Sequence, residues 1–424
     1  MWKREKKTYK SLGPNSAEII ARVERHSARN YEPYPFVVER ADGAWLYDPD
    51  GNRALDFLSA YSAILRHRHP KVIEAVAREM KHGSDLVSRA LCSARYADFV
   101  EAVCGATGYD RVLPKSDGGS AADSAVKTLL MHGQQAGVEK PEVILTKDYF
   151  HGRTLAFASN ALFDEDQSSG LTQRMPGIVV VDHNPKSVKD AITDSTVGIF
   201  VETHKGEGGP LFTAEKDFRA MRKLAKKNGI YFGVDEIQTG LGRCGYMMAW
   251  QEFGKDVRPD FVTLGKALGG GIYPVSAIAG TEEFMGVLKP GVDGSTFGGN
   301  PIACAAACAS LEVIEGEKIP ARSRRLGKYL AKRMRGIPGV NTENRGMLMR
   351  VEIEGVETAK YACMEMLLGE GRNPRVFMKH GHRDKNRLVA YARIAPPPGA
   401  MTEELIDLAV ENTIRPVLEE DGRK

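Results

Sequence analysis

Lys266 follows the apolar run Phe261-Val262-Thr263-Leu264-Gly265 and precedes the glycine-rich stretch Gly269-Gly270-Gly271. A cation at the end of a buried strand is costly unless it is paired or loses its proton. Once uncharged, a lysine amine in such a pocket is a nucleophile that forms a Schiff base with a carbonyl. The ordinary alternative is a surface lysine in a strand-to-loop turn, and this segment alone does not choose between them. A second segment weighs on the choice. Gly229-Ile230-Tyr231-Phe232-Gly233-Val234-Asp235-Glu236 is a short apolar run ending in adjacent acids. That is the pattern of a buried parallel strand with Asp235 at its carboxyl end, where open α/β sheets bind ligands.

A carboxylate in that place has two established uses. In a nucleotide hydrolase it holds magnesium, but this requires a G-x-x-x-x-G-K-[ST] phosphate loop, which the sequence lacks. In a pyridoxal phosphate enzyme it pairs with the pyridinium nitrogen and requires a lysine on a later strand end, which Lys266 supplies. A phosphate needs backbone N–H groups at a helix N-terminus, and Ser116-Asp117-Gly118-Gly119-Ser120-Ala121 leads into an alanine-rich helical stretch. An ordinary loop with an N-cap explains the same residues. Gly294-Ser295-Thr296-Phe297-Gly298-Gly299-Asn300-Pro301 offers two hydroxyls that either complete a phosphate site or shape a turn. Phe150, in Tyr149-Phe150-His151-Gly152-Arg153-Thr154, is either an aromatic plane for a cofactor ring or core. Arg153 and Arg393 are the arginines whose planar fork suits a substrate carboxylate.

These groups need a scaffold. From about residue 70 to 300 helical stretches alternate with short apolar strands at Glu142–Thr146, Gly177–Val181, Val197–Val201, Gly229–Asp235 and Asp260–Leu264. That alternation predicts a mostly parallel sheet flanked by helices. Upstream, a helix is expected over Ser16–Arg29, then two strands around the Asp42-Gly43 turn and a further turn at Asp50-Gly51. Beyond residue 305 a long helix, strands near Leu348–Ile353 and Leu388–Ile394, and a last helix from Thr402 predict a second α/β layer packed with the N-terminal strands.

The 424 residues are enough for two domains, and 42% hydrophobic with 27% charged residues is ordinary for a soluble protein. The net charge of +4 gives no argument for nucleic acid. The basic clusters Arg322–Arg325 and Lys379–Lys385 are expected to be solvated faces. The six cysteines show neither zinc spacing nor a secreted framework, so reduced thiols in the cytoplasm and no metal site are expected. No run approaches a membrane span, and Met1–Lys7 has no apolar region behind it, which predicts an untargeted soluble chain.

Taken together the segments resemble the subgroup III aminotransferases of pyridoxal phosphate fold type I, and within them the ornithine aminotransferases. The resemblance runs from Asn30-Tyr31 to Pro396–Pro398. It rests on Asp56–Ala63, Gly152–Leu155, Asp235–Leu241, Leu264–Leu268, Tyr273–Ala277 and Gly294–Pro301. It implies a large domain with a mostly parallel seven-stranded sheet (residues 66–304) and a smaller α/β domain drawn from both termini (1–65 and 305–424). It implies pyridoxal 5'-phosphate as cofactor, with Lys266 as its covalent anchor and proton shuttle and Asp235 on the ring nitrogen. Gln238 would bond the phenolic oxygen and Phe150 would stack on the ring. Gly118, Gly119, Ser120 and Ser295, with Thr296 from a neighbouring subunit, would hold the phosphate, so a homodimer with shared active sites follows. Tyr31 and Arg153 would orient the α-amino and α-carboxylate ends of a diamino acid, with Tyr61 shaping the pocket. Glu207 and Arg393 would form a switch, paired for the amine donor and separated for a 2-oxo acid. The activity so implied moves the terminal amino group of ornithine, or a similar basic diamino acid, to 2-oxoglutarate by a ping-pong mechanism.

Three departures from the family pattern concern the substrate and phosphate ends. Ser116-Asp117-Gly118-Gly119-Ser120-Ala121 replaces the usual Asn-[Ser/Thr]-Gly-x-Glu-Ala, placing an acid near the phosphate. Thr203 and Lys205 replace the usual proline and glutamine. Lys205 then competes with Arg393 for Glu207, reads an extra anion on the substrate, or faces solvent. A shorter segment around Ile64–His69 admits Arg66 and Arg68 to the pocket mouth. The rival readings are a related enzyme with changed substrate or outcome (a specialised-metabolism transaminase, a racemase or an aminomutase) and a non-catalytic pyridoxal-binding or partner-binding protein, against which the intact Lys266 argues.

Overall fold

Seven short apolar segments assemble into one sheet: β1 (Arg111–Lys115), β2 (Glu142–Thr146), β3 (Ile178–Val181), β4 (Thr196–Glu202), β5 (Tyr231–Asp235), β6 (Phe261–Leu264) and β7 (Ser276–Gly280). The computed structural model describes residues 12–160, 171, 173–207, 209–353, 359–381 and 390–421. The spatial order is β1-β7-β6-β5-β4-β2-β3. Pairing is parallel from β6 through β3, and β7 is antiparallel to both of its neighbours. Because both faces are covered, β4 is buried along its whole length, as its unbroken apolar run requires. Ile199 and Val201 join one core, with Val234, Val262, Leu264 and the alanine-rich face of the Pro301–Gly316 helix. Phe200, pointing the other way, packs with Val143, Phe261 and the Gly118–Gln135 helix.

The remaining strands form two smaller sheets. The Asp42-Gly43 turn joins Arg40–Asp42 to Trp45–Tyr47, with Gly43 at φ +61. Arg53–Asp56 extends this sheet and pairs in parallel with Arg375–Phe377, from the far end of the chain. The other sheet is antiparallel, in the order Val340–Arg345, Leu348–Ile353, Ala390–Ile394, Lys379–His380. Leu55 and Phe57 share a core with Leu330, Met349, Val376, Ile394 and Ile406, so the two ends of the chain bury one another. We propose that the two cores are two domains, the second built from both termini. The Pro301–Gly316 helix belongs with the first, because Ala303 through Ile314 pack there.

The expected helix after residue 305 is two helices, Pro301–Gly316 and Ile319–Arg335. Lys318 at φ +53 and Pro320 in the first turn of the second break the run. The N-terminal helix is Pro14–His26. The Arg322–Arg325 cluster is not simply solvated: Arg322 donates to Met401 O at 3.1 Å, Arg324 to Gly245 O, and Arg325 pairs with Glu403. Met1–Lys7, Leu388–Val389 and 382–385 of the second basic cluster lie outside the described residues. Among the described residues no helix is long and apolar enough to cross a membrane.

Candidate active site

Four chain segments leave the carboxyl ends of β2, β4, β5 and β6 and carry Phe150, Glu207, Asp235 with Gln238, and Lys266. At the end of β6, Lys266 takes φ +41, left-handed backbone that costs a non-glycine residue on the order of 1 kcal/mol. Buried Ala267 and Leu268 hold it there, with Leu268 N donating to Gly265 O at 2.9 Å. Strain of this kind gathers at functional sites. The amine lies 5.9 Å from the centre of the Tyr61 ring. Burial pushes the Lys266 pKa down, against the opposing charges of Glu207, Asp235 and Glu202. A lysine so placed is available as a nucleophile and a proton carrier.

Asp235 ends β5 beside Glu202 on β4 and Thr263 on β6. Its Oδ1 accepts from Ile237 N at 2.9 Å, and its Oδ2 takes the Nδ1–H of His151 at 2.7 Å. His151 is buried between aromatic faces, stacked on Tyr149 at 4.9 Å and on Phe200 at 4.4 Å. Sequence reasoning gave His151 no role. Its position next to Phe150 was the only signal, and pairing with a carboxylate far along the chain is not readable from that. Glu202 accepts from Phe150 N at 3.0 Å and Gly206 N at 3.2 Å, which anchors the Phe150 turn to β4. Burial, and then the Asp235 charge, push the Glu202 carboxyl up to about 8.

The Gly118–Gln135 helix begins in a capping box. Asp117 accepts from Ser120 N at 2.9 Å, and the Ser120 hydroxyl donates to Asp117 O at 2.8 Å. The acid that sequence reasoning set against a phosphate is therefore the N-cap, and the Ser120 hydroxyl is engaged by the backbone. The open donors of this first turn are the N–H groups of Gly118 and Gly119. Space there exists only because side chains are missing. A Cβ on Gly152, at φ +110, would lie 2.7 Å from Gly119 Cα, and one on Gly118 would lie 3.0 Å from Ile237 Cδ1.

At the other end of the cleft Glu207 Oε2 lies 2.5 Å from Arg393 Nη1, which also donates to Glu207 O at 3.2 Å. Burial alone would raise the Glu207 carboxyl, but Arg393, with Lys379 and Lys266, holds it below its usual range. Gln238 reaches Glu207 at 3.5 Å, and its Oε1 is buried without a partner. A Cβ on Gly206 would fall 1.4 Å from that oxygen, so the glutamine conformation depends on glycine there. Tyr61 ends a run of three left-handed residues, Ser59, Ala60 and Tyr61, at φ +50, +45 and +58. Asp56 fixes the run by accepting from Leu58 N, Ser59 N and His67 Nε2 at 2.8, 2.7 and 2.7 Å. The fully buried Arg243 donates to Ser59 Oγ at 2.8 Å and Pro396 O at 2.6 Å, tying the Tyr61 turn to the Arg393 strand. Sequence reasoning missed Arg243 as well.

Other candidates stand apart. Tyr31 and Arg153 meet each other, the guanidinium 5.3 Å from the ring centre, but both are exposed in the single chain. Ser295 accepts from Gly298 N at 2.8 Å on an exposed loop. Thr296 lines a small cleft with Leu86, Arg89 and Asn300. Lys205 neither faces solvent nor contacts Glu207. It is 5% exposed and donates to Lys147 O at 2.5 Å, with Asp148 Oδ2 at 3.4 Å, so it fastens the turn before Phe150. Thr203 donates to buried Glu236 at 2.6 Å, a bond that proline lacks. Arg66 pairs with Asp42 at 3.0 Å, on the N-terminal hairpin.

The model for the family described as aminotransferase class-III matches residues 26–391. An ornithine aminotransferase from Geobacillus sp. is 38% identical, over 93% of this chain and 97% of its own. One from Staphylococcus carnosus is 40% identical, over 93% and 98%. Among solved structures, the ornithine aminotransferase of Toxoplasma gondii, crystallised with partial pyridoxal phosphate occupancy, superposes with a TM-score of 0.88. It is 29% identical, with 98% of this chain and 97% of that one covered.

Proposed function

The chain belongs to the class-III aminotransferases, and on that premise we propose that it moves the terminal amino group of ornithine, or of a similar basic diamino acid, to 2-oxoglutarate in two alternating half-reactions. It is a pyridoxal phosphate-dependent enzyme with amino acid and 2-oxo acid substrates. The residues fit that cofactor: glycine backbones at 118, 119 and 152 leave a cradle, and the buried Gln238 amide, whose Nε2 has only a 3.5 Å contact with Glu207, has an N–H to donate. When bound, pyridoxal phosphate supplies a carbonyl that carries the amino group and a ring that accepts the electron pair left on carbon.

The protein does the rest. Lys266 anchors the cofactor and, once displaced by substrate, carries the proton to and from the reacting carbon. Asp235, oriented by His151, holds the proton on the ring nitrogen. Gln238 bonds the phenolic oxygen, Phe150 covers the ring face, and the N–H groups of Gly118 and Gly119 hold the phosphate. Thr296, on the same exposed loop as Ser295, completes the phosphate site of a second subunit in a homodimer. Their exposure, and that of Phe297 at 59%, supports that placement. Tyr31 and Arg153 orient the diamino acid, and Tyr61 shapes the pocket. A cytoplasmic location is part of the same proposal.

The observation that carries the substrate reading is the Glu207–Arg393 pair. A free buried arginine would bind any anion; neutralised by Glu207, it tolerates a cationic or uncharged end of the amine donor. Released, it takes the carboxylate of 2-oxoglutarate. The test is to incubate the holoenzyme with ornithine and 2-oxoglutarate and assay glutamate and the cyclised semialdehyde. If neither forms while the cofactor absorbance still answers another amino compound, the ornithine reading fails.

A further inference from the structure

Arg393 does not stand alone on its sheet. In register, Arg350 lies directly opposite it on one side and Lys379 directly opposite on the other, so three cations form one row on one face. Like charges opposed across strands are destabilising, and a fold keeps them only with compensating anions. Two of the three have one. Arg350 pairs with Glu352 at 2.9 Å and lies 3.9 Å over the Tyr391 ring, while Arg393 pairs with Glu207 at 2.5 Å. Lys379 is half-buried, and its ammonium has no hydrogen bond or ion pair among the described residues. It is one strand from the Glu207–Arg393 contact, and its charge and that of Glu207 act on one another.

Resting on the switch reading above, we propose that Lys379 is the alternate partner of Glu207. When an incoming carboxylate takes Arg393, Glu207 moves onto the Lys379 ammonium, and it returns when the acid leaves. A buried carboxylate that gave up its arginine with nothing to receive it would bear an uncompensated charge, which opposes opening. A second cation across one strand removes most of that opposition. The two alternatives, Glu207 with Arg393 and Glu207 with Lys379, conserve charge in the cleft while exposing Arg393 only in the second. Electrostatics support the geometry. Burial lowers the Lys379 pKa and Arg393 lowers it further, whereas Glu207 opposes both. Arg153 also acts on Lys379, which brings the exposed end of the substrate cleft into the same field.

Lys379 is thus a positioning residue for the acceptor half-reaction, and the two halves separate its role from a structural one. In single-turnover experiments on the holoenzyme, Lys379→Met is expected to leave the ornithine half within about twofold while raising the half-saturating 2-oxoglutarate concentration ~10-fold. Binding of glutarate, which cannot react, should weaken by a similar factor in calorimetry. Lys379→Arg keeps the charge and should restore most of the loss. In a Glu207→Gln background Lys379→Met should add little, because the carboxylate it receives is gone. A loss that persists undiminished in that background means direct contact with substrate and overturns the proposal, as does an equal fall in both halves. If Glu207→Gln shifts the donor-to-acceptor preference but Lys379→Met is silent, only the proposal falls. If Glu207→Gln leaves that preference unchanged, the switch reading falls and takes the proposal with it.

Discussion

His151 Nδ1 lies 2.7 Å from Asp235 Oδ2, at the end of the central strand, and aromatic rings on both faces of the imidazole keep it there. The carboxylate is thereby oriented by a side chain that itself has no freedom to turn. His151→Phe preserves the stacking and removes the donor. We expect kcat to fall about 10- to 100-fold, the rate equivalent of one hydrogen bond to a charged group. Steady-state kinetics and the cofactor's circular dichroism check this, and an unchanged kcat would show that Asp235 needs no orienting partner.

Glu207→Ala leaves Arg393 buried, charged and open to anions at all times. Donors with a carboxylate at that end should gain on ornithine by about 10-fold or more in relative kcat/KM, since the repelling element is gone. Comparing glutamate with ornithine as donor measures it. A ratio that does not move would deny Glu207 any part in selection.

Asp117 places a negative charge at the phosphate cup while capping the helix through Ser120 N. Asparagine caps as well as aspartate does. Asp117→Asn should therefore keep the fold and tighten pyridoxal phosphate binding about three- to tenfold, a gain that shrinks as salt is added. Titrating the apoprotein with cofactor at two ionic strengths tests both parts.

How much of this was legible in advance follows the range of the interactions. Asp235 and Lys266 stood out because a short apolar run ending in a charged residue marks a buried strand end, and both are where that pattern put them. The Asp42-Gly43 turn was equally local. The partners of those residues were not local. His151 meets Asp235, Arg243 meets Ser59 and Pro396, and Arg375–Phe377 pairs with Arg53–Asp56 only through the fold. Neither β1 nor antiparallel β7 was among the five strands read from the sequence; Ser276–Gly280 is short and made mostly of small residues, so it leaves little apolar signal. The break at Lys318 was hidden because left-handed backbone is rare for lysine, although Pro320 was a visible sign.

His183 bridges the Thr146 and Thr213 hydroxyls at 2.8 and 3.0 Å, and burial pushes its pKa down to about 3. Its folded pKa lies below its unfolded value, so between the two the unfolded chain binds more protons. The stability it contributes is complete above the unfolded pKa near 6.5 and is lost as pH falls toward 3. Urea unfolding between pH 6.5 and 5 should lose stability with a slope of up to about 1.4 kcal/mol per pH unit from this group. His183→Gln should have a flatter profile across that window. Parallel profiles for the two proteins would assign the acid sensitivity elsewhere.

Lys205 provides the sharpest contrast between family pattern and structure. It holds Lys147 O and Asp148 from within the protein, and so supports the turn that aims Phe150, without touching Glu207 or Arg393. Lys205→Ala removes a buried, charged donor from Lys147 O and should cost about 1–3 kcal/mol of stability, a drop of several degrees in Tm. Because the support is mechanical, cofactor affinity should weaken along with stability while the ornithine-to-glutamate donor ratio stays fixed. Thermal unfolding, cofactor titration and the donor ratio, measured on one preparation, separate the outcomes. A changed donor ratio with unchanged cofactor affinity would mean that the Lys205 side chain acts on substrate, against its burial behind the Phe150 turn.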